Sequence, residues 1–300
     1  MIPRAEFLVR RKQGIGGSDI AAVIGLSPWR TALDVWLDKT GNGAEPVESS
    51  LVGATASLWW GSQLEALIGK AYTAVTGRRI CRYNALLIDP ETPYFIGDVD
   101  FLGYCADGKT PATKKGVRTD LGIEIKTARY PGEEWGADGT DEIPAWYMAQ
   151  VQWYMGLLPS VTRFDVVTLF GGSELRIYPV ERDPDIISAL RNAADAFWRD
   201  FVAAGSPPPP ATADDVRALF PATQTASVTA SPEVEKIVAH CRRLSRLRID
   251  LTAEEDELKD RIAVAIGDAE ELRNADGAVL ATFKNEKRGR ILRVKKEREG

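Results

Sequence analysis

Cysteine and histidine are scarce in this sequence of 300 residues. It contains three cysteines, Cys81, Cys105 and Cys241, and a single histidine. The cysteines are odd in number and far apart, which excludes a disulfide framework, a C-x-x-C pair and the ligand spacing of zinc or iron–sulfur sites. We therefore expect a protein of a reducing cytoplasm.

Long apolar runs and an excess of positive charge are also missing. No segment is apolar over the length that a bilayer requires, and the first residues lack the apolar core of a signal peptide, so we expect no membrane association. The net charge is -5, which argues against a protein that coats nucleic acid through its overall charge but leaves room for a local basic groove. Neither a Walker A nor a G-x-G-x-x-G element occurs, so ATP-driven translocation is not expected.

Periodicity and turn residues divide the chain into three parts. Residues 1–205 contain the alternation of helices and strands expected of one α/β domain, whereas 206–232 are rich in Pro, Ala, Ser and Thr and predict a linker, with room for a short turn of helix at 216–220. Residues 233–300 predict a charged helical arm followed by a basic hairpin and tail. The predicted elements are helices at 18–24, 31–40, 62–76, 143–157 and 185–204, three strands within 80–127, a hairpin around Gly171-Gly172, and a helix at 233–266 with leucine and isoleucine at near-heptad spacing.

The short segment GIEIKT alternates apolar and charged residues. In an extended strand, Ile123 and Ile125 point to one face while Glu124 and Lys126 share the other. A solvated strand edge with a weak ion pair has the same pattern, so the segment becomes informative only if a second acid joins it. The preceding strand, YFIGDVDFLGY, carries Asp98 and Asp100 on one face, and sequential strands usually pair.

An Asp and a Glu side by side in a cleft repel each other unless a cation lies between them. All-oxygen ligands suit Mg²⁺, with Mn²⁺ as a substitute, and Lys126 on the same face can orient or deprotonate a metal-bound water. This is the chemistry of phosphodiester hydrolysis. The order G-D-V-D followed by E-I-K fits the degenerate PD-(D/E)xK nuclease pattern.

Five blocks of sequence are more specific than this pattern. They are GIGGSDIAAVIGLSPWRTALDVWLDKTG, WWGSQLEALIGKAYTAVTG, VDFLG, GIEIKT and IPAWYMAQVQWYMGLL. Their order and spacing over residues 5–200 resemble the YqaJ viral recombinase family, which includes lambda exonuclease. The resemblance implies a restriction-endonuclease-like core and Mg²⁺-dependent 5′-to-3′ digestion of one strand of duplex DNA from its ends. It also implies a single-strand annealing protein as partner and a homo-oligomer, with a ring as one form.

The resemblance also implies roles for individual residues. Asp100 and Glu124 match the metal-binding acids, the carbonyl of Ile125 a further ligand, Lys126 the catalytic lysine, Glu65 a helical glutamate that reaches the metal, and Gln150 the first glutamine of Q-x-Q. Several readings stay open. Asp98 takes the place of Asp100 as metal ligand if the strand register shifts by two residues. Glu65 is equally consistent with an exposed acid beside an apolar stripe. Tyr147 and Tyr154 either contact DNA or pack as aromatic side chains in the protein.

The N-terminal block predicts a phosphate pocket. Ser18 follows Gly16-Gly17 at a helix start, where free N–H groups and the helix dipole attract a terminal 5′-phosphate, although Ser18 is also simply a good N-cap. By resemblance, Arg11 is the arginine that grips this phosphate, with Arg10 as the alternative.

Two other functions remain open. One is a catalytically silent scaffold that binds DNA ends, against which the complete set of Asp100, Glu124 and Lys126 argues. The other is a RecB-like nuclease of another DNA-processing pathway, many of which carry a four-cysteine cluster that this chain lacks.

Overall fold

The structure is a computed structural model and describes residues 9–43, 52–53, 55–83, 85–113, 116–223, 226–287 and 289–295. Contacts divide the chain into two units, 1–223 and 224–300. Within the described ranges, no helix combines the length and the apolar composition needed to cross a membrane.

The first unit is built on a five-stranded mixed sheet. Its helices and strands are α1 (Gly17–Val23), α2 (Ala32–Thr40), α3 (Ala56–Thr76), β1 (Ile80–Arg82), β2 (Leu87–Ile88), β3 (Ile96–Gly97), β4 (Phe101–Gly103), β5 (Ala112–Thr113), β6 (Gly116–Val117), β7 (Leu121–Ala128), α4 (Ala145–Leu157), β8 (Arg163–Phe170), β9 (Glu174–Glu181), α5 (Pro184–Phe197) and α6 (Ala213–Leu219). A π-helical turn, Trp198–Ala203, extends α5. The strand order is β1-β4-β7-β8-β9, with β2-β3 and β5-β6 as separate pairs.

Helices cover both faces of the sheet. On one face, α3 packs Ile68 and Tyr72 against Ile123 and Ile125 of β7. On the other face, α1, α2, α4 and α5 form the larger core with β4 and β8. Strands β7 and β8 run parallel because α4 crosses between them, whereas the other pairs of the sheet are antiparallel. The predicted class, a central mixed sheet flanked by helices as in a restriction-endonuclease-like core, is confirmed.

The segment that carries Asp98 and Asp100 is not one continuous strand. Strand β4 pairs with β7 only at Phe101↔Ile123 and Leu102↔Gly122, and β3 pairs with β2 instead. Between them the chain leaves the ladder, because Val99 is buried in the larger core while the Asp100 carboxylate accepts a hydrogen bond from the Ile125 N–H at 2.7 Å. A side chain thus takes over the place of a backbone partner at the end of this pairing.

Two other elements differ from their predicted form. Helix α1 begins at Gly17, one residue before Ser18, so that Gly16 is its N-cap and Ser18 lies within its first turn. The β8–β9 connection has three residues, 171–173, rather than two, because Phe170 pairs with Glu174. Both Gly171 and Gly172 have positive φ, at 57° and 78°, a conformation that glycine adopts without steric cost.

The residues predicted as a linker are partly folded into the first unit. Helix α6 lies within 206–232, and its Asp215 is buried. The Asp215 carboxylate accepts hydrogen bonds from the Thr31 hydroxyl at 2.9 Å and from the Ala211 and Thr212 N–H groups. The predicted boundary at 205 therefore falls before a segment that is anchored to α2.

The second unit contains a long helix and a small sheet. Helix α7 (Pro232–Ile266) has 35 residues, and the strands β10 (Glu271–Arg273), β11 (Val279–Glu286) and β12 (Gly289–Val294) form an antiparallel sheet. The predicted hairpin is β11–β12, to which β10 adds a third strand. The last residues of the predicted basic tail, 296–300, lie outside the described residues.

Candidate active site

The alternation of β7 delivers the two charged side chains that the sequence predicts. With Ile123 and Ile125 under α3, Glu124 and Lys126 project toward α4 on the opposite face. Glu124 is 3% exposed, and its Oε1 accepts a hydrogen bond from the Lys126 Nζ at 2.7 Å. A buried ion pair on the central strand of the sheet is not the solvated strand edge of the alternative interpretation.

Gln150 of α4 joins these two residues. Its Nε2 donates to Glu124 Oε1 at 2.7 Å, and its Oε1 accepts from the Lys126 Nζ at 3.1 Å. The same Nε2 donates to the Tyr154 hydroxyl at 3.0 Å. The Lys126 ammonium also lies 4.7 Å from the centre of the Tyr147 ring. The glutamine thus fixes the orientation of both charged groups, and the two tyrosines pack against the cluster.

Two adjoining pockets meet at Asp100 and Glu124. The first has a volume of about 190 Å³, and its lining includes Arg11, Ser18, Asp98 and Gln150. The second has a volume of about 560 Å³ and adds residues from α3 and α4 as well as Lys126. Its lining includes Trp29, Leu58, Glu65 and Tyr147. The acids predicted to bind metal therefore share one concave surface.

The acids of this surface carry more negative charge than their neighbours neutralise. Burial and then Asp100 raise the pKa of Glu124 to about 8, in spite of Lys126. Burial and then Asp100 raise the pKa of Glu65 to about 7 and that of Asp98 to about 6. Burial also raises the pKa of Asp100 itself. Such mutual shifts mark a place where positive charge stabilises the ionised acids.

The pKa of Lys126 is raised as well, but for a lysine this shift favours the charged form. Burial alone lowers its pKa, but Glu124 and Asp100 outweigh burial and raise the pKa above the ordinary value for lysine. The side chain is therefore an ammonium group at neutral pH. It donates hydrogen bonds to Glu124 Oε1 and Gln150 Oε1.

The chemistry of the acids and of the neighbouring carbonyl suits a divalent cation. The buried Glu124 Oε2 has no hydrogen-bond partner, and the carboxylates and the carbonyl would supply oxygen ligands, as Mg²⁺ prefers. Among the described residues, no group of three or more His, Cys, Asp or Glu side chains is arranged to hold a metal. Asp100, Glu124 and the Ile125 carbonyl nevertheless fit Mg²⁺, which usually keeps several water ligands and binds through one or two carboxylates.

Glu65 has a cationic neighbour of its own. Its Oε1 forms a salt bridge with Arg82 at 3.0 Å, although the side chain lines the same pocket as Asp100 and Glu124. Arg82, on edge strand β1, is a residue that the sequence analysis missed, and its position in the chain gave no signal. The role predicted for Glu65 stays a prediction.

The predicted phosphate-binding residues lie together. The Arg11 guanidinium donates to the Ser18 hydroxyl at 2.5 Å, and both residues line the smaller pocket beside Asp98 and Asp100. Ser18 is exposed, as a residue that contacts a ligand must be. Because Gly16 rather than Ser18 is the N-cap, the Ser18 hydroxyl faces Arg11 instead of closing its own helix.

A buried charge network that the sequence analysis missed supports this pocket. Asp19, next to Ser18, is fully buried and contacts Lys39 at 2.7 Å, Arg30 at 2.8 Å and the Gly16 N–H at 3.0 Å. The fully buried Lys39 ammonium in turn donates to the Arg11 carbonyl at 3.1 Å. The only sequence signal was an acid directly after Ser18. The network ties the backbone of Arg11 to α1 and α2.

Part of the chain matches a known domain family. The model of the YqaJ-like viral recombinase domain matches residues 6–160. The uncharacterized protein YqaJ of Bacillus subtilis (strain 168) is 33% identical over 207 residues, which are 68% of this chain and 58% of that protein. The chain thus spans less than two thirds of this relative.

Solved structures with a similar arrangement are alkaline and phage-related exonucleases. LHK-Exo of Laribacter hongkongensis in complex with dAMP is 18% identical, with a TM-score of 0.48, and the match covers 67% of this chain and 94% of that one. A phage-related exonuclease from Haemophilus somnus is 15% identical, with a TM-score of 0.43, and the match covers 64% of this chain and 96% of that one. Since the domain model matches more than half of the chain, this protein belongs to the YqaJ-like viral recombinase family.

Proposed function

We propose that this protein is a Mg²⁺-dependent nuclease that digests one strand of linear duplex DNA from its 5′ end toward the 3′ end. The single observation that carries the proposal is the contact of Lys126, Glu124 and Gln150 at the rim of pockets that Asp100 and Glu124 share. Membership of a viral recombinase family supports a role on DNA. The exposed 3′ strand would pass to a single-strand annealing protein in the bacterial cytoplasm.

The chemistry divides between the cation and the protein. Asp100, Glu124 and the Ile125 carbonyl would hold Mg²⁺, with Mn²⁺ as a substitute, and the ion would supply charge neutralisation and activation of water. Lys126 is an ammonium group and donates a hydrogen bond to an oxygen of the scissile phosphate or of the attacking water. Gln150 orients Lys126 and Glu124 through one hydrogen bond to each side chain.

The direction of digestion follows from the position of the phosphate pocket. Arg11 and Ser18 line the same pocket as Asp100 and Glu124. When these two residues hold a terminal 5′-phosphate, the first phosphodiester of that strand lies beside the acids. Binding of the phosphate thereby positions the scissile bond. The family resemblance also implies a homo-oligomer, with a ring as one form. A ring that threads the DNA would keep the enzyme on its substrate.

Digestion of linear duplex DNA tests the nuclease itself. We expect loss of one strand in Mg²⁺ and none in EDTA, and a decrease in rate of about 100-fold or more for Asp100→Asn and for Lys126→Met, because each removes a charge at the reacting phosphate. Lys70→Met, an exposed lysine on α3, is the matched control and should keep full activity. Asp98→Asn should retain more activity than Asp100→Asn if Asp100 is the ligand.

Two results would contradict the proposal. Cutting of closed circular duplex as fast as linear duplex would exclude an exonuclease. Binding of DNA ends without any strand loss in Mg²⁺ or Mn²⁺ would instead support the silent scaffold.

The preference for the end group tests the phosphate pocket. We expect faster digestion of 5′-phosphate than of 5′-hydroxyl ends, and a decrease of this ratio by about 10-fold or more in Arg11→Ala, since a hydrogen bond to a charged group contributes about 1.5–3 kcal/mol. Arg10→Ala is the neighbouring control and should leave the ratio unchanged. A ratio that falls in Arg10→Ala alone would move the phosphate grip to Arg10.

A further inference from the structure

Helix α7 presents an apolar stripe to solvent. Ile237, Leu244, Leu251 and Leu258 recur every seven residues, and each is between 48% and 67% exposed. Val234 and Cys241, which precede the first two of them by three residues, are exposed on the same seam. This spacing is the a/d pattern of a coiled coil, in which a second helix covers the seam. The helix is about 50 Å long at 1.5 Å per residue, which is enough for four such repeats.

The middle of α7 separates its charges into two blocks. The stretch 236–249 has bases and no acid, and 250–257 has acids and no base. An acidic first turn, with Glu233 and Glu235, precedes them, and a mixed stretch, 259–261, follows. The bases are Lys236, Arg242, Arg243, Arg246 and Arg248, and the acids are Asp250, Glu254, Glu255, Asp256 and Glu257. A helix with this distribution complements itself only when a second copy runs in the opposite direction.

We propose that α7 is a self-association element, and that two copies of this chain pair through α7 as an antiparallel coiled coil. The two helices are aligned so that the point between residues 249 and 250 of one lies opposite the same point of the other. Cys241 then lies opposite Leu258 of the second copy, and Arg248 lies opposite Leu251 of the second copy. The basic block of each helix then faces the acidic block of the other. The apolar stripe is covered along its whole length.

The charged residues within the seam exclude the parallel arrangement. Arg248 and Glu255 occupy the same heptad position as Val234 and Cys241. In a parallel pair, Arg248 faces Arg248 of the second copy, and Glu255 faces Glu255 of the second copy. Like charges then meet in the seam and repel each other. In the antiparallel pair, Arg248 lies within one layer of Glu255 of the second copy. Glu255 also contacts Lys259 of its own helix at 2.7 Å, an exposed contact that adds little by itself.

The mass of the full-chain assembly tests the surface. Whether the first unit is a monomer or a ring, we expect a concentration-dependent doubling of mass by sedimentation that Leu251→Glu weakens at least 10-fold while the far-UV helical signal is retained. Val264→Glu is the matched control, because Val264 is 82% exposed and lies about 120° around the helix from the stripe. The mass of its assembly should equal that of the unchanged protein. A chain that stays monomeric at 100 µM, or an assembly whose mass Leu251→Glu leaves unchanged, would overturn the proposal.

Cross-linking tests the direction of the helices. In a background of Cys81→Ser and Cys105→Ser, only Cys241 remains, and mild oxidation should give no covalent dimer. Adding Leu258→Cys should give an efficient dimer through Cys241 of one copy and residue 258 of the other, whereas Asp260→Cys on the outer face should not. A dimer linked by Cys241 to itself would show a parallel pair. If the stripe is protected from hydrogen exchange to the same extent at all protein concentrations, the chain covers the stripe itself. This result, like a dimer linked through two copies of Cys241, would refute the inference.

Discussion

At the scale of single residues, Gln150 holds Glu124 and Lys126 of the cleft in position through hydrogen bonds. One amide contacts Glu124, Lys126 and Tyr154 at the same time, so that the positions of both charged groups follow from one side chain on α4. The sequence predicted the three residues of β7 and the glutamine. It did not predict that the glutamine bridges them, because their separation of 24 and 26 residues along the chain is bridged only by packing.

Asp19 provides a test of the support beneath the phosphate pocket. Burial by itself raises its pKa, but Lys39, Arg11 and Arg30 outweigh burial and hold the pKa at about 2, below the ordinary 3.8. We expect Asp19→Asn to lower the free energy of unfolding by about 3 kcal/mol near neutral pH, because the buried Lys39 loses its closest partner. Urea unfolding at pH 6 measures this loss.

The loss should depend on pH with a defined sign. A carboxyl with a lowered pKa stabilises the fold above its unfolded pKa, and the stabilisation disappears as pH falls through the folded value. The difference between Asp19→Asn and the unchanged protein should therefore shrink between about pH 4 and pH 2. Asp38→Asn is the control, since Asp38 contacts the same Lys39 at 3.2 Å but is 34% exposed, and its cost should be smaller. An equal cost for both variants would mean that the burial of Asp19 is not what matters.

At the scale of elements, the close approach of α1 to α4 positions the phosphate pocket against the acids. A Cβ added to Gly17 would lie 2.5 Å from the Tyr154 ring, a distance that a packed side chain does not tolerate. Tyr154 is buried, and its hydroxyl accepts the hydrogen bond from Gln150. The glycine therefore allows α1 to contact Tyr154, which is hydrogen-bonded to the cluster of Gln150, Glu124 and Lys126.

Gly17→Ala should disturb both stability and activity. We expect the free energy of unfolding to fall by about 1–3 kcal/mol from overpacking, together with a lower rate of DNA digestion because Tyr154 moves and releases Gln150. Gly16→Ala is the matched control, since the nearest atom to its added Cβ is 3.5 Å away. Thermal unfolding and initial rates of both variants measure the effects. If Gly16→Ala is as harmful as Gly17→Ala, the contact with Tyr154 is not the cause.

The elements also show where sequence patterns reached their limit. The period of β7 and the stops of α2 and α3 at Gly41 and Gly77, both in the left-handed conformation, follow from local backbone preferences and were predictable. The segment around Asp98 and Asp100 has the same alternation yet is not a strand. Val99 finds a place in the larger core, and the Asp100 carboxylate ends the pairing with β7, which no local pattern reveals.

At the scale of the whole molecule, the chain forms two units that meet in sequence at 223/224. The composition of 206–232 suggested a linker, since it is poor in apolar residues. Within this segment, however, Asp215 forms hydrogen bonds with Thr31, 184 residues earlier in the chain. The second unit supplies the exposed seam of α7, which the first unit does not need for its own core.

Truncation tests where the first unit ends. A chain of residues 1–223 should unfold at a higher temperature than a chain of residues 1–205, by a few degrees, because the shorter one lacks Asp215 and its bond to Thr31. Thr31→Val in the longer chain should reproduce part of this decrease, although it also removes the cap of α2. Equal unfolding temperatures for the two truncated chains would return the boundary to 205.

The sequence by itself determined the mixed class of the fold, the strand that carries Glu124 and Lys126 on one face, and most helix ends, because these depend on the two-residue and 3.6-residue periods of the backbone. Only the tertiary structure brought Arg11 to Ser18, buried Asp19 against Lys39 and laid Gln150 across the cluster. Contacts of this kind depend on how separate elements pack, and the free energy of packing is shared among many side chains that a local pattern does not connect.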